Sequence, residues 1–158
     1  MSEEVMRKGR PRVSGLPVKQ AFGYDSVESN VRLMMLCKGL MALGWIDQKT
    51  DIQAFIDLFS GDMVYRRIIW KRSAGTLAEL FRRLVNECKL VSLPASQSIW
   101  VMVNAHFWDN RRGQEFGCDK LRKSVITHSQ DQTISFLTCL LDPDYELEEL
   151  QKLLKLRR

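Results

Sequence analysis

The run Arg7-Lys8-Gly9-Arg10-Pro11-Arg12 places four cations around a glycine and a proline near the start of the chain. That combination suits one chemistry. Glycine and proline keep the backbone extended, so the flat guanidinium of Arg10 can enter the narrow, electronegative minor groove of A·T-rich DNA. Lys8 and Arg12 then meet phosphates on either side. The bland reading of the same run is a solvated basic tail. Further cations come in pairs: Lys71 with Arg72, Arg82 with Arg83, and Arg111 with Arg112. The last pair sits in the turn-forming stretch Asp109-Asn110-Arg111-Arg112-Gly113, whose tip can reach phosphates. Ser96, Gln97, Ser98 and Asn104 are the polar side chains able to address base edges, Gln and Asn by pairing with adenine.

Catalysis has less to stand on. The chain holds no glycine-rich phosphate loop, no H-E-x-x-H and no G-x-S-x-G. Metal-assisted hydrolysis needs clustered carboxylates, whereas Asp47, Asp51, Asp57, Asp62, Asp109 and Asp119 are dispersed over helix starts and turns, where capping explains them. His106 closes an apolar segment and reads as structural. Cys37, Cys88, Cys118 and Cys139 form no C-x-x-C pair and read as reduced thiols. A zinc set drawn from His106, Cys118, His128 and Cys139 has no close ligand pair to seed it. These residues point to a binding protein without metal or cofactor rather than an enzyme.

The bulk properties agree with that direction. The net charge of +5 favours polyanionic partners, and 158 residues suit one domain with an arm. Hydrophobic residues at 45% and charged residues at 27% are ordinary for a globular chain, so a packed core is expected. No apolar run approaches the roughly 18 to 20 residues that span a bilayer, and Met1-Ser2-Glu3-Glu4 opens no signal peptide. A cytoplasmic location without membrane contact follows as the expectation.

The elements that must position these residues can be read from periodicity and breakers. Residues 1–24 carry no period and hold Gly9, Pro11, Gly15, Pro17 and Gly23, which predicts a flexible basic arm. Residues 25–158 then form a single globular domain. Asp25-Ser26-Val27-Glu28 looks like a capping box, opening a helix that Gly44 should stop. A short helix follows Thr50-Asp51, and Arg66 to Trp70 reads as a strand. Thr76-Leu77-Ala78-Glu79 reads as a second capping box, for a helix over 76–90 with Leu77, Leu80, Phe81, Leu84, Val85 and Cys88 inward. A strongly apolar helix is expected over 96–106. Phe107-Trp108 and Glu115-Phe116 should then form a hairpin about the Asp109–Gly113 turn. Three helical stretches finish the chain: Asp119 to Ile126, Thr133 to Leu141 and Glu146 to Leu156.

The order over about 51–117 is helix, strand, helix, turn, helix, strand, turn, strand. That is the order of a winged helix, so the expected fold is mainly α with a small β-hairpin: a winged-helix-like core flanked by an N-terminal helix and C-terminal helices. In such a core Lys71, Arg72, Arg82, Arg83, Arg111 and Arg112 approach phosphates, and Gln97 leads the helix that enters the major groove. The apolar character of Ile99, Trp100, Val101, Met102 and Val103 points instead to a buried helix.

Two resemblances follow from these residues. Arg7–Arg12 resembles the AT-hook, whose core is Gly-Arg-Pro between basic residues. From Ile69 to Leu141, the cadence of Trp70-x-x-Ser73, Leu77-x-x-Leu80, Phe107-Trp108-Asp109, Gly113, Phe116 and Leu121-Arg122 resembles the helix-turn-helix domain of RteC-like regulators and related small proteins of Bacteroides conjugative transposons. The resemblance implies a non-enzymatic, DNA-associated regulatory or accessory protein of a mobile element. It carries over no base-contacting residue. The alternative is a winged-helix module for protein contact or homodimerisation, without direct DNA binding.

Overall fold

The computed structural model describes residues 19–64 and 66–157. Ser29–Leu43 forms the 15-residue helix α1, and Gly44 ends it in the left-handed region at φ +75° with its N–H returned to Met41. Asp51 caps the short helix α2 (Ile52–Asp57) by accepting from the Gln53 N–H. Strand β2 (Met63–Val64) pairs antiparallel with β1 (Lys19–Gln20). Strand β3 (Ile68–Trp70) leads into helix α3 (Ala74–Phe81), which continues as a wider π-helical stretch over Arg82–Glu87. Helix α4 (Ile99–His106) runs straight into strand β4 (Phe107–Asp109). Helices α5 (Cys118–Lys123), α6 (Asp131–Cys139) and α7 (Leu147–Arg157) complete the chain. The protein is thus mainly helical with small strand pairs, and no helix among the described residues is long and apolar enough to cross a membrane.

A relay of aromatic rings ties these elements together. Phe22 meets Phe81 at 4.9 Å, Phe81 meets Phe107 at 5.3 Å, Phe107 meets Trp70 at 5.8 Å, and Trp70 meets Trp45 at 6.0 Å between centroids. Edge and tilted contacts of this kind add to simple burial. The Trp70 indole N–H donates to the Thr76 hydroxyl at 3.1 Å, so the largest ring of the core is also satisfied as a donor.

Several expectations are corrected. The stretch 19–24 is no arm: Ala21 and Phe22 are fully buried, Gly23 exchanges backbone hydrogen bonds with Ser92, and the Tyr24 hydroxyl donates to the Leu141 carbonyl. An aromatic pair seeking cover outweighs the glycine that suggested a linker. The remainder of the expected arm, including Lys8, Arg10 and Arg12, lies outside the described residues. Helix α1 begins at Ser29, and no side chain caps it. Helix α3 begins at Ala74 and not at Thr76, because the Ser73 hydroxyl accepts from the Thr76 N–H while Thr76 itself is buried under Trp70.

The expected hairpin is also replaced. Strand β4 pairs in parallel with β3, Ile68 opposite Phe107 and Trp70 opposite Asp109. The other side of β3 holds Ile46, with the Lys71 N–H on the Trp45 carbonyl at 2.7 Å. Beyond β4 a single antiparallel bridge joins Asp109 to Gln114, and Gly117 at φ +89° then turns the chain into α5.

Candidate nucleic-acid interface

Because β3 and β4 run in the same direction, whatever follows each strand emerges at one edge of the pair. Lys71 and Arg72 follow β3, and the Asn110–Gly113 turn follows β4. The pairing that replaces the hairpin is therefore what gathers the cations. The turn is held from within: the buried Asp109 carboxylate accepts from the N–H groups of Arg111 at 3.1 Å and Arg112 at 3.3 Å. Gly113 closes it at φ +66°, its N–H on the Asp109 carbonyl. With the backbone so tied, the side chains of Arg111 and Arg112 are left exposed.

Arg72, Arg111 and Arg112 line an open groove of about 440 Å³ together with Lys120 of α5, Ser124 and Val125. The start of α3 lines it too, through Ala74 and Gly75. At Gly75 a β-carbon would stand 2.0 Å from the Val125 carbonyl oxygen, so only glycine allows this approach of backbone to backbone. Four cations face one carboxylate, and that carboxylate is already occupied by two backbone donors. The positive end of the α3 dipole adds to the same field.

Sorting the arginines by partner isolates the groove. Arg32, Arg66, Arg67, Arg82, Arg83 and Arg122 are each in an ion pair. Among the other arginines whose side chains are described, Arg72, Arg111 and Arg112, none is in an ion pair with a described residue, and all three line the groove. Arg72 rests its guanidinium 5.8 Å from the Trp45 ring centroid, a contact that orients it without neutralising it.

Other expected contacts fall elsewhere. Arg82 and Arg83, expected on an outer face, are turned inward: both grip Glu79, and Arg83 also reaches Asp131 at 2.5 Å. Lys71 is exposed beside the groove but does not line it. Gln97 lies in the turn before Ser98, which caps α4, and it too is outside the groove lining. Asn104 accepts from the Gly117 N–H at 2.9 Å and so serves the turn into α5. Helix α4 buries Met102, Val103, Ala105 and His106. His106 is fully buried, with Nε2 3.1 Å from the Gln20 carbonyl. Lys120, Gly75 and Val125 were not singled out in the sequence, although the cations Lys120, Arg122 and Lys123 of α5 were a visible cluster.

Among the described residues no group of three or more His, Cys, Asp or Glu side chains is placed to hold a metal ion. Comparison with known protein families, curated proteins and solved structures returned no match for this chain.

Proposed function

We propose that this chain is a non-catalytic DNA-binding protein, of the regulatory or accessory kind that the RteC-like resemblance implies, and that it holds duplex DNA by its phosphates. One observation carries the reading: the arginines left without an ion partner among the described residues converge on one groove. Arginine forks match phosphate oxygens, and an unpaired set costs nothing in broken internal bridges when DNA arrives. The net charge of +5 supports the same partner. In this reading the stretch of about 51–117 is a winged-helix variant in which a tight turn stands where the wing would be, and Arg10 of the N-terminal run adds a minor-groove contact on A·T-rich sequence.

Fluorescence anisotropy on A·T-rich and G·C-rich duplexes at three salt concentrations tests this. Binding should weaken steeply with salt. Each of Arg72→Ala, Arg111→Ala and Arg112→Ala should reduce the slope of log K against log salt by about 0.9 on both duplexes alike. Arg10→Ala should weaken the A·T-rich duplex more. Absence of salt-sensitive binding to either duplex would discard the DNA reading in favour of a protein-contact module.

A further inference from the structure

The groove has a composition that says which part of a nucleic acid it meets. Four cations line it: Arg72, Arg111, Arg112 and Lys120. The rest of the lining is Ser73, Ala74, Gly75, Asp109, Ser124 and Val125, the last of these 79% exposed although its backbone is pressed against Gly75. No aromatic ring lines the groove, so the platform on which bases most often stack is absent. The groove volume of about 440 Å³ is ample for phosphate and sugar groups.

We infer, resting on the DNA reading above, that the groove seats two consecutive phosphates of one strand together with the deoxyribose that joins them, and touches no base. The phosphates lie against these cations, where arginine forks and the lysine can each complete a charge-assisted hydrogen bond. The sugar lies over Val125 and the glycine-narrowed start of α3. Recognition of this kind fixes the position of the strand without reading its sequence. It also assigns the sequence-sensitive part of any binding to residues outside the groove.

The minimal probe is the abasic tetrahydrofuran analogue of deoxyribose carrying 3′- and 5′-phosphates, compared with thymidine 3′,5′-bisphosphate and inorganic phosphate. The protein is the full chain, followed by NMR at the Gly75 amide and the Val125 methyls, with competition against a labelled duplex. The two bisphosphates should bind within about twofold of each other and at least about tenfold tighter than inorganic phosphate, because two charged contacts replace one. Both should shift Gly75 and Val125 and displace the duplex. Val125→Ser should weaken both a few-fold through the lost apolar contact. The Arg72→Ala/Arg111→Ala/Arg112→Ala variant should abolish the shifts. A thymidine compound bound more than about fivefold tighter than the abasic one overturns the inference, since a contacted base would account for that difference. So does inorganic phosphate binding as well as either bisphosphate. A duplex that binds while Gly75 and Val125 stay unmoved sinks this inference and leaves the DNA reading standing. A duplex that does not bind at all sinks the DNA reading, and this inference with it.

Discussion

The guanidinium of Arg82 lies over the indole of Trp100, its central carbon 5.1 Å from the ring centroid. The same group donates to the carbonyls of Leu121 at 3.3 Å, Arg122 at 2.9 Å and Ser124 at 2.8 Å, and pairs with Glu79. One side chain therefore fastens α4 and the end of α5 to the π-helical stretch, and in doing so holds Ser124 and Val125 against Gly75. Arg82 builds the wall of the groove without entering it.

Removing Arg82 should cost stability, while removing the arginines of the groove should not. Arg82→Ala removes one donor from each of three carbonyls and a carboxylate, at a side chain only 23% exposed. A loss of about 2 to 4 kcal/mol is expected in urea unfolding. Arg111→Ala should leave the unfolding midpoint where it is. Equal midpoints for the two variants would show that the internal grip is not supporting the fold.

Arg32 should be still more sensitive. Its side chain is 2% exposed and donates to the carbonyls of Leu140, Asp142 and Tyr145 while pairing with Glu28, which pins the 140–145 turn onto α1. Arg32→Met should destabilise by about 3 to 5 kcal/mol, because one substitution removes the guanidinium donors to all three carbonyls and the partner of Glu28. Arg32→Lys should recover little of this, since an ammonium cannot reproduce the planar fork. Full recovery by lysine in a thermal melt would refute the geometric argument.

The inward face of α3 and its continuation carries Leu80 and Leu84, 2% and 0% exposed. Leu80→Ala and Leu84→Ala should each cost about 2 to 5 kcal/mol through lost burial and the cavity left behind. Val27→Ala, at a fully exposed position, should change nothing. Chemical denaturation of the three variants in parallel provides the comparison.

Cys37 should make stability fall in alkaline solution. Burial, reinforced by the Asp51 carboxylate, pushes its thiol up from 9.0 to about 11. Above pH 9 the unfolded chain releases that proton while the folded chain retains it, so the unfolded state binds fewer protons and stability declines as pH rises from about 9 to about 11. Cys37→Ala should flatten this part of the profile relative to the natural chain. In alkylation at neutral pH, the exposed Cys118 should be modified well before Cys37, which should react only in denaturant.

The parts of the fold that were legible in the sequence are those set by local chemistry. Gly44 stops α1 and Asp51 caps α2 because a positive φ or an unpaired N–H demands that residue type at that place. The cations at 72, 111 and 112 were visible for the same reason: three arginines in turn-forming contexts stand out. Their convergence was not visible. A strand of three residues after a helix carries no mark of whether it folds back on its neighbour or lies parallel to a distant one, and Phe107–Asp109 takes the second course. Nor does an arginine announce its partner. Arg82 and Arg111 look alike in the sequence, and only the proximity of Glu79, Trp100 and the carbonyls of 121–124 separates an internal fastener from a free cation. Phe22 shows the reverse failure, since glycine and proline around it drew attention from the one residue type that had to be buried.

The parallel pairing of β3 with β4 also dictates when the groove can exist. Its partners, Ile68 and Phe107, stand 39 positions apart, so no local turn can bring them together and the whole of α3 and α4 must cross over first. Closing a loop of that length is slow because its entropy is lost before the strand contacts return anything. A chain emerging during synthesis carries Arg72 long before it carries Arg111, and until β4 has docked the two belong to separate, solvated segments. The cationic edge therefore forms only once β4 has docked on β3. Charge on the unfinished chain stays dispersed until the core that supports it is complete.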